Sequence, residues 1–540
     1  MTPALSHSDY PRLCREFRWD YPARLNMADQ IIGDWAAAEP ERRAVIEYDG
    51  RTARPLSYGE LAAMTDRLAH ALALTGGERV GVLRTQSGWT AAAHAAVWKS
   101  AAISVPLFKL FGEDALRLRL EDAGVETVIT DPEGRAMLAA FDLRVIVPEE
   151  DDLPDAGPFA TADTGPETPA VMIYTSGTTG APKGALHGHR VLTGHLPGVE
   201  MSHDLLHPGE DVLWTPADWA WIGGMFDVAM PGLALGVPVV AARLPKFDAA
   251  ACARLIRDCG VTAAFLPPTA LRMLKAADMQ IAGLRSVASA GETLGAEMLA
   301  WGRDAFGLEI NEFYGQTECN MVAACAHSMF PTRPGWFGKA APGFEMAVID
   351  EAGQPTTAEG DIAIRRGAGS MFLGYWNRPE ATAEKFRGDW LVTGDRGEMA
   401  DGYLRFVGRD DDVITSGGYR IGPSEIEDVL IKHEAVAAAG VVGKPDPMRT
   451  EIVKAYVVLR DGFAPSDDLA AELQAHAKRW SAAHSYPREV AFLDELPMTV
   501  TGKVMRRELR KLAVAEASQT DPSQTAPSQA GQKKDGGQND

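Results

Sequence analysis

Tyr174-Thr175-Ser176-Gly177-Thr178-Thr179-Gly180-Ala181-Pro182-Lys183-Gly184 packs four aliphatic hydroxyls, three glycines and one lysine between two apolar runs. Glycine lets the backbone turn its N–H groups toward an anion, the hydroxyls add donors, and the lysine adds a point charge. The stretch therefore reads as a polyphosphate cradle. It is not a Walker A loop, because two residues separate Gly180 from Lys183 and Gly184 follows where that motif needs Ser or Thr. The competing reading is a flexible Ser/Thr/Gly surface turn. The flanking chain has to decide between them.

Working outward, the segments on both sides alternate between helix and strand patterns. Apolar residues recur at helical spacing over 27–39 and 57–75, the second opened by Ser57 with Glu60 placed as a capping box. Buried-strand patterns follow at 79–83, 103–107, 127–130 and 143–147, with an alanine-rich helix over 88–102. An acidic stretch with Pro and Gly over 148–169 reads as a surface linker into the cradle. Beyond the cradle the alternation continues through 236–241, 249–259 and 263–266. Two strands then run into polar loops, Gly291-Glu292-Thr293 and Phe313-Tyr314-Gly315-Gln316-Thr317-Glu318, and such strand ends line ligand crevices in open α/β sheets. From about 340 the pattern changes to short β-like runs. The acidic run Asp410-Asp411-Asp412 then reads as a solvated boundary, followed by an α+β unit of roughly a hundred residues. The expected fold class is α/β: a large N-terminal domain of layered sheets with helices and a β subdomain over 1–409, a small mobile α+β domain over 410–517, and a disordered tail over 518–540.

Bulk properties narrow the function. A chain of 540 residues, 46% apolar and 24% charged, can bury a large core. A formal charge of -21 argues against a general nucleic-acid or anionic-membrane surface, so any bound polyanion must meet local cations. Cys14, Cys252, Cys259, Cys319 and Cys325 form no C-x-x-C pair and no zinc spacing, which fits reduced, mostly buried thiols. With no signal-like apolar core near the N-terminus and no apolar stretch approaching 18 residues, a soluble, cytoplasmic protein without a membrane span is expected.

Seven signatures now stand in order: YTSGTTGAPKG, Pro267-Pro268-Thr269, Gly291-Glu292-Thr293, FYGQTE, WLVTGD, GRDDDVITSGGYRIGPSEIE and LPMTVTGKVMRREL. Together they make the chain resemble the adenylate-forming superfamily of acyl- and aryl-CoA synthetases, firefly luciferase and peptide-synthetase adenylation domains, most closely a medium-chain acyl-CoA synthetase. The resemblance implies a two-step reaction. A carboxylate and ATP give an acyl-adenylate and pyrophosphate, and coenzyme A then gives a thioester and AMP. It further implies that Thr175, Ser176, Gly177, Thr178, Thr179, Gly180 and Lys183 hold the β- and γ-phosphates. Thr317 would contact the α-phosphate, and Glu318 would be the Mg²⁺-linked carboxylate. Asp395 would accept the ribose hydroxyls with Arg409 nearby, while Gly291, Glu292, Thr293, Glu312, Phe313, Tyr314, Gly315 and Gln316 would surround the adenine. Lys503 would be the catalytic cation of adenylation and Asp411 the hinge. Gly417, Gly418, Tyr419, Arg420 and Arg488 would serve coenzyme A.

Some positions depart from the family pattern. Ser485 precedes Tyr486-Pro487-Arg488 where a basic residue is common, and Met498 replaces a common lysine. His187 and His189 lie close to the cradle, yet this chemistry needs positioned charge more than proton transfer. The acyl pocket is expected from Trp219, Trp221, Ile222, Gly223, Gly224, Ala290 and Gly315. Acetate-specific relatives place a tryptophan at the position of Gly315, so its absence implies room for a longer acid. The other positions are small or apolar and offer no charge to an amino group. A short-chain or aryl-CoA ligase, a non-CoA adenylating enzyme and a nucleotide-binding regulatory protein remain the rival readings. The proline five residues before Gly502 is spaced as in relatives silenced by lysine acylation, which makes a lysine acetyltransferase and deacetylase pair acting on Lys503 a candidate partner.

Overall fold

The structure is a computed structural model. It describes residues 5–175, 182–242, 247–291, 294–409, 412, 414–416, 419–446, 450–480, 486–499 and 503–519. The chain divides into two compact units, Met1–Val407 and Gly408–Asp540.

The larger unit is built on two sheets. In the seven-stranded sheet the order runs Gly374–Tyr375, Lys183–Gly188, Pro169–Thr175, Ile103–Pro106, Arg79–Leu83, Thr127–Thr130 and Arg144–Ile146, among the described residues. The last five are parallel, as the buried Val- and Ile-rich runs require, and the first two turn antiparallel at the edge that carries the cradle. The helix Tyr58–Leu72 begins at a complete Ser57–Glu60 capping box and lies against Gly88–Lys99, whose alanines 91–93, 95 and 96 are fully buried. The stretch 148–168 forms no regular element, yet it packs. Leu153 is buried, and the Thr164 hydroxyl lies between the Leu25 carbonyl at 2.7 Å and the Asn26 amide at 3.1 Å.

The second sheet has fourteen strands among the described residues. Its parallel centre joins Arg43–Tyr48, Val239–Ala242, Leu213–Trp214, Ala263–Phe265, Ser286–Ser289 and Ile310–Gln316. Past Ile310–Gln316 the pairing becomes antiparallel, and the short strands beyond 340 continue this edge through Lys339–Ala340, Tyr403–Arg409, Trp390–Ala400, Gly360–Arg365 and Met346–Ile349. The helix Arg190–Ser202 is almost wholly buried. Gly194 and Gly198, one turn apart, let it touch backbone. A Cβ on Gly194 would overlap the Gly369–Ser370 peptide, and one on Gly198 would overlap Met321.

The smaller unit pairs Tyr419–Ile421, Ile414–Ser416, Thr450–Leu459 and Val436–Asp446, with Glu489–Phe492 parallel to Thr450–Leu459. Helices Pro423–Ile431, Asp467–Trp480 and Arg506–Gln519 complete it. The acidic run at its start is not simply solvated. Asp412 pairs with Arg506 and Arg510, and Arg506 also grips Glu427 at 2.5 Å. The expectation of a solvated boundary fails at this residue because two arginines of one helix face it.

Candidate active site

The cradle is a hairpin mouth. Thr175 ends one strand, Lys183 begins the next, and the two are paired in register. Ser176, Gly177, Thr178, Thr179 and Gly180 lie outside the described residues. A second hairpin stands beside it. Gln316 pairs with Cys319, so Thr317 and Glu318 form its two-residue tip, and the register shifts beyond it, where Gly315 alone faces residues 320–322.

The segment 372–376 fastens the two hairpins together. The Phe372 amide donates to the Glu318 carbonyl at 2.8 Å, Leu373 to Leu186 at 2.7 Å and Trp376 to Gly184 at 2.8 Å. Tyr375 connects the charges. Its hydroxyl donates to the Glu318 carboxylate, and Lys183 Nζ lies 5.1 Å from the centre of its ring face. The sequence reading missed Tyr375. Its signal was faint, an aromatic in Gly374-Tyr375-Trp376 with no chemistry of its own.

A second cluster forms where strand ends meet. Tyr314 OH donates to Asp395 Oδ2 at 2.5 Å, and the Asp395 amide donates to Thr393 Oγ1 at 3.1 Å. The hydroxyl thus pins the carboxylate expected to bind ribose. Glu312 Oε1 accepts from the Leu294 amide at 3.0 Å, stitching the turn that begins at Gly291, where φ is +106°, to the central strand. Glu292 and Thr293 lie outside the described residues. Phe313 is buried, and Gln316 Oε1 accepts from Lys385 Nζ at 3.3 Å. Arg409 ends its strand in the smaller unit; its side chain is outside the described set.

Of the residues expected for the acyl pocket, Trp221 joins a row of three rings. Trp221 is tilted on Phe265 at 5.9 Å, and Phe265 on Phe313 at 5.1 Å. A Cβ on Gly223 would stand 2.8 Å from the Trp221 ring, so only glycine leaves that ring in place. Trp219, Ile222, Gly224 and Ala290 are buried. One expectation needs correcting. The place where a side chain on Gly315 would stand is not vacant: a Cβ there would run into the carboxamide oxygen of Asn320. Asn320 Nδ2 in turn donates to Asp227 Oδ1 at 2.7 Å. The surroundings of Gly315 are therefore polar, where the sequence suggested small and apolar positions only.

His187 and His189 are packed into the interior. Both are fully buried, and burial pushes their pKa down to about 3 and about 4, so they are neutral near pH 7. His189 Nδ1 accepts from the Met27 amide at 3.0 Å, a structural use. Four of the five cysteines are buried, and burial raises Cys252 to about 12 and Cys259 to about 11, which makes them poor nucleophiles.

In the smaller unit Lys503 is exposed. Its amide donates to Thr499 Oγ1 at 3.0 Å, and the Thr499 amide donates to its carbonyl at 2.7 Å. The helix Arg506–Gln519, anchored on Glu427 and Asp412, starts three residues later. Tyr419 and Arg420 lie on a strand paired to Ser416 and Thr415, with side chains outside the described set. Asp411, Gly417 and Gly418 are outside it too. The Arg488 guanidinium stacks 4.3 Å over the Tyr486 ring.

The chain is similar to known proteins. The family described as AMP-binding enzyme matches residues 32–376, and its C-terminal domain matches 425–503. The chain is 33% identical to an acetyl-coenzyme A synthetase of Bacillus subtilis (strain 168), over 93% of each protein. It is 32% identical to the mitochondrial acyl-coenzyme A synthetase ACSM3 of Mus musculus, again over 93% of each. The crystal structure of ATP-bound MatB from Rhodopseudomonas palustris superposes with a TM-score of 0.79 at 27% identity, covering 91% of this chain and 99% of that one. Among the described residues no helix is long and apolar enough to cross a membrane.

Proposed function

Because the chain belongs to the AMP-binding enzyme family and is an ATP-dependent, AMP-forming acyl-CoA ligase, we propose that its substrates are medium-chain fatty acids or similarly apolar acids. The observation that carries the site assignment is the chain of contacts Lys183, Tyr375, Glu318, which draws a cation and a carboxylate of separate hairpins to one ring. The wall Trp221, Phe265, Phe313 supports an apolar acyl group.

Thr175, Lys183 and the loop between them hold the β- and γ-phosphates, so their donors meet the charge that grows on the leaving pyrophosphate. Thr317, at the tip of its hairpin, orients the α-phosphate for in-line attack by the substrate carboxylate. Asp395, oriented by Tyr314, takes the ribose hydroxyls, and Phe313 and Tyr314 flank the adenine. Lys503 supplies the cation on the reacting carboxylate and the α-phosphate. Gly417, Gly418, Tyr419, Arg420 and Arg488 serve coenzyme A in the second step, and Asp411 is the hinge that separates the steps. Residues 1–409 accordingly carry ATP and acyl binding, and 410–517 the catalytic lysine.

Glu318 fits Mg²⁺. It is one anchored hard-oxygen donor, and among the described residues no group of three His, Cys, Asp or Glu gathers to cage an ion, the pattern of a cation shared with phosphates. When bound, Mg²⁺ would neutralise phosphate charge. Acetylation of Lys503 would remove the adenylation cation and switch the enzyme off; stoichiometric modification with undiminished activity would sink that idea.

The deciding experiment scores coenzyme-A-dependent AMP formation on unbranched acids from C2 to C12 and on benzoate. A maximum between about C4 and C10 is expected, broad because one methylene contributes only about 0.8 kcal/mol. A sharp acetate or benzoate preference would overturn the medium-chain reading.

A further inference from the structure

Beside the glycines assigned to the acyl pocket lies a polar pair that the sequence did not announce. Asn320 follows the Thr317–Glu318 tip by two residues, and its carboxamide oxygen occupies the place a side chain on Gly315 would take, with Asn320 Cα 3.0 Å from that position. Asp227 lies one helical turn beyond Gly223, on the same face of the helix that starts at Ile222. The two side chains meet at 2.7 Å, Asn320 donating. They are 4% and 2% exposed, so the pair is buried between the two glycines assigned to the pocket.

We propose that Asn320 and Asp227 form the floor of the acyl pocket and select acids whose far end carries a hydrogen-bonding group, such as a hydroxyl, over the unsubstituted acids of the same length. This rests on the acyl-CoA ligase reading and on Gly315 and Gly223 lining its pocket. The chemistry follows from what the pair offers. A buried amide held by a carboxyl group presents its oxygen as an acceptor toward Gly315. Burial raises the Asp227 pKa above the usual carboxylate range, and the Asp227 oxygen that accepts from Asn320 Nδ2 fixes which way the amide faces. A hydroxyl reaching this floor exchanges its bond to water for bonds to fixed partners. A methyl at the same depth covers polar atoms without pairing them. Because Asn320 and Asp227 already satisfy one another in part, the discrimination is modest compared with a site left wholly unpaired. The same carboxamide sets the depth of the pocket, since it fills the space that a glycine at 315 would otherwise leave.

The test measures kcat/KM for matched pairs: butanoate and 4-hydroxybutanoate, hexanoate and 6-hydroxyhexanoate, octanoate and 8-hydroxyoctanoate, benzoate and 4-hydroxybenzoate. In the wild type the hydroxy acid should be favoured about fivefold or more at the one length that reaches the floor. In Asn320→Ala that ratio should fall to within about twofold of unity while longer unsubstituted acids gain, because the floor has been lowered. Asp227→Leu, which keeps a similar volume and removes the acceptor that holds the Asn320 amide, should weaken the hydroxyl preference without the change in length. Preference for the unsubstituted acid at every length, or the same ratios in wild type and Asn320→Ala, would overturn the inference and leave the ligase standing. Absence of turnover on every acid would overturn both.

Discussion

Tyr375 is 7% exposed, with its ring under the Lys183 ammonium and its hydroxyl on the Glu318 carboxylate. Removing the hydroxyl leaves the carboxylate without a charge-assisted hydrogen bond worth about 1.5–3 kcal/mol. Tyr375→Phe should therefore lower kcat/KM for ATP by roughly 10- to 100-fold and raise the Mg²⁺ concentration that gives half-maximal AMP formation, with a Tm lower by a few degrees. An unchanged Mg²⁺ dependence would mean that Glu318 needs no such anchor. Lys503 is different in kind. Its backbone is fixed by reciprocal bonds with Thr499 while its side chain stays exposed, so the residue is placed without being packed. Lys503→Ala should slow adenylation by about 10² or more and spare thioester formation from supplied acyl-adenylate. Equal loss in both half-reactions would contradict the assignment of Lys503 to the first step alone. Glu318 and Lys503 were legible from the motifs around them. Tyr375, Asn320 and Asp227 were not, because each acts through a neighbour at least fifty residues away in sequence.

The buried helix Arg190–Ser202 works through what it lacks. Gly194 and Gly198 leave its flank bare, and the bare flank lies on the backbone of Gly369–Ser370 and Met321, the segments that lead into the 372–376 bracket and out of the Thr317–Glu318 tip. Gly194→Ala adds one methyl against a peptide that cannot rotate away, and overpacking of that sort costs about 1–3 kcal/mol. A thermal melt should show a Tm several degrees lower. A Tm equal to that of wild type would show that the helix withdraws without penalty. Gly194 and Gly198 stand four apart in the sequence, but the sequence does not say which backbone they approach. The hairpins tell a similar story. Alternation and turn residues announce strands around 174 and 313, whereas the pairing of Gly374–Tyr375 onto Lys183–Gly188 joins segments nearly two hundred residues apart. No local signal carries such a pairing.

Across the larger unit five histidines are buried and held neutral: His94, His187 and His203 with pKa values near 3, and His189 and His195 near 4, in each case chiefly through burial. The unfolded imidazole, with its ordinary pKa of about 6.5, takes up a proton that the folded one refuses. Stability is therefore full above about pH 6.5 and drains as pH falls toward 3–4, each histidine adding a slope that approaches about 1.4 kcal/mol per pH unit. Urea midpoints measured from pH 8 to pH 5 should fall steeply below 6.5, and His94→Phe, remote from the hairpins, should flatten the fall. A flat profile would show that these rings are paired or hydrated as charged groups. The sequence by itself determined the α/β class and the family signatures that mark an AMP-forming acid–CoA ligase. These depend on local periodicity, turn residues and motif spacing, all of which are written along the chain. Only the tertiary structure decided that Tyr375 joins Lys183 to Glu318, that Asp412 is clasped by two arginines, and that the space beside Gly315 holds Asn320 backed by Asp227. Those facts arise from strands and helices far apart in sequence being packed to contact, where burial strips away water and lets a neighbour set the character of a side chain.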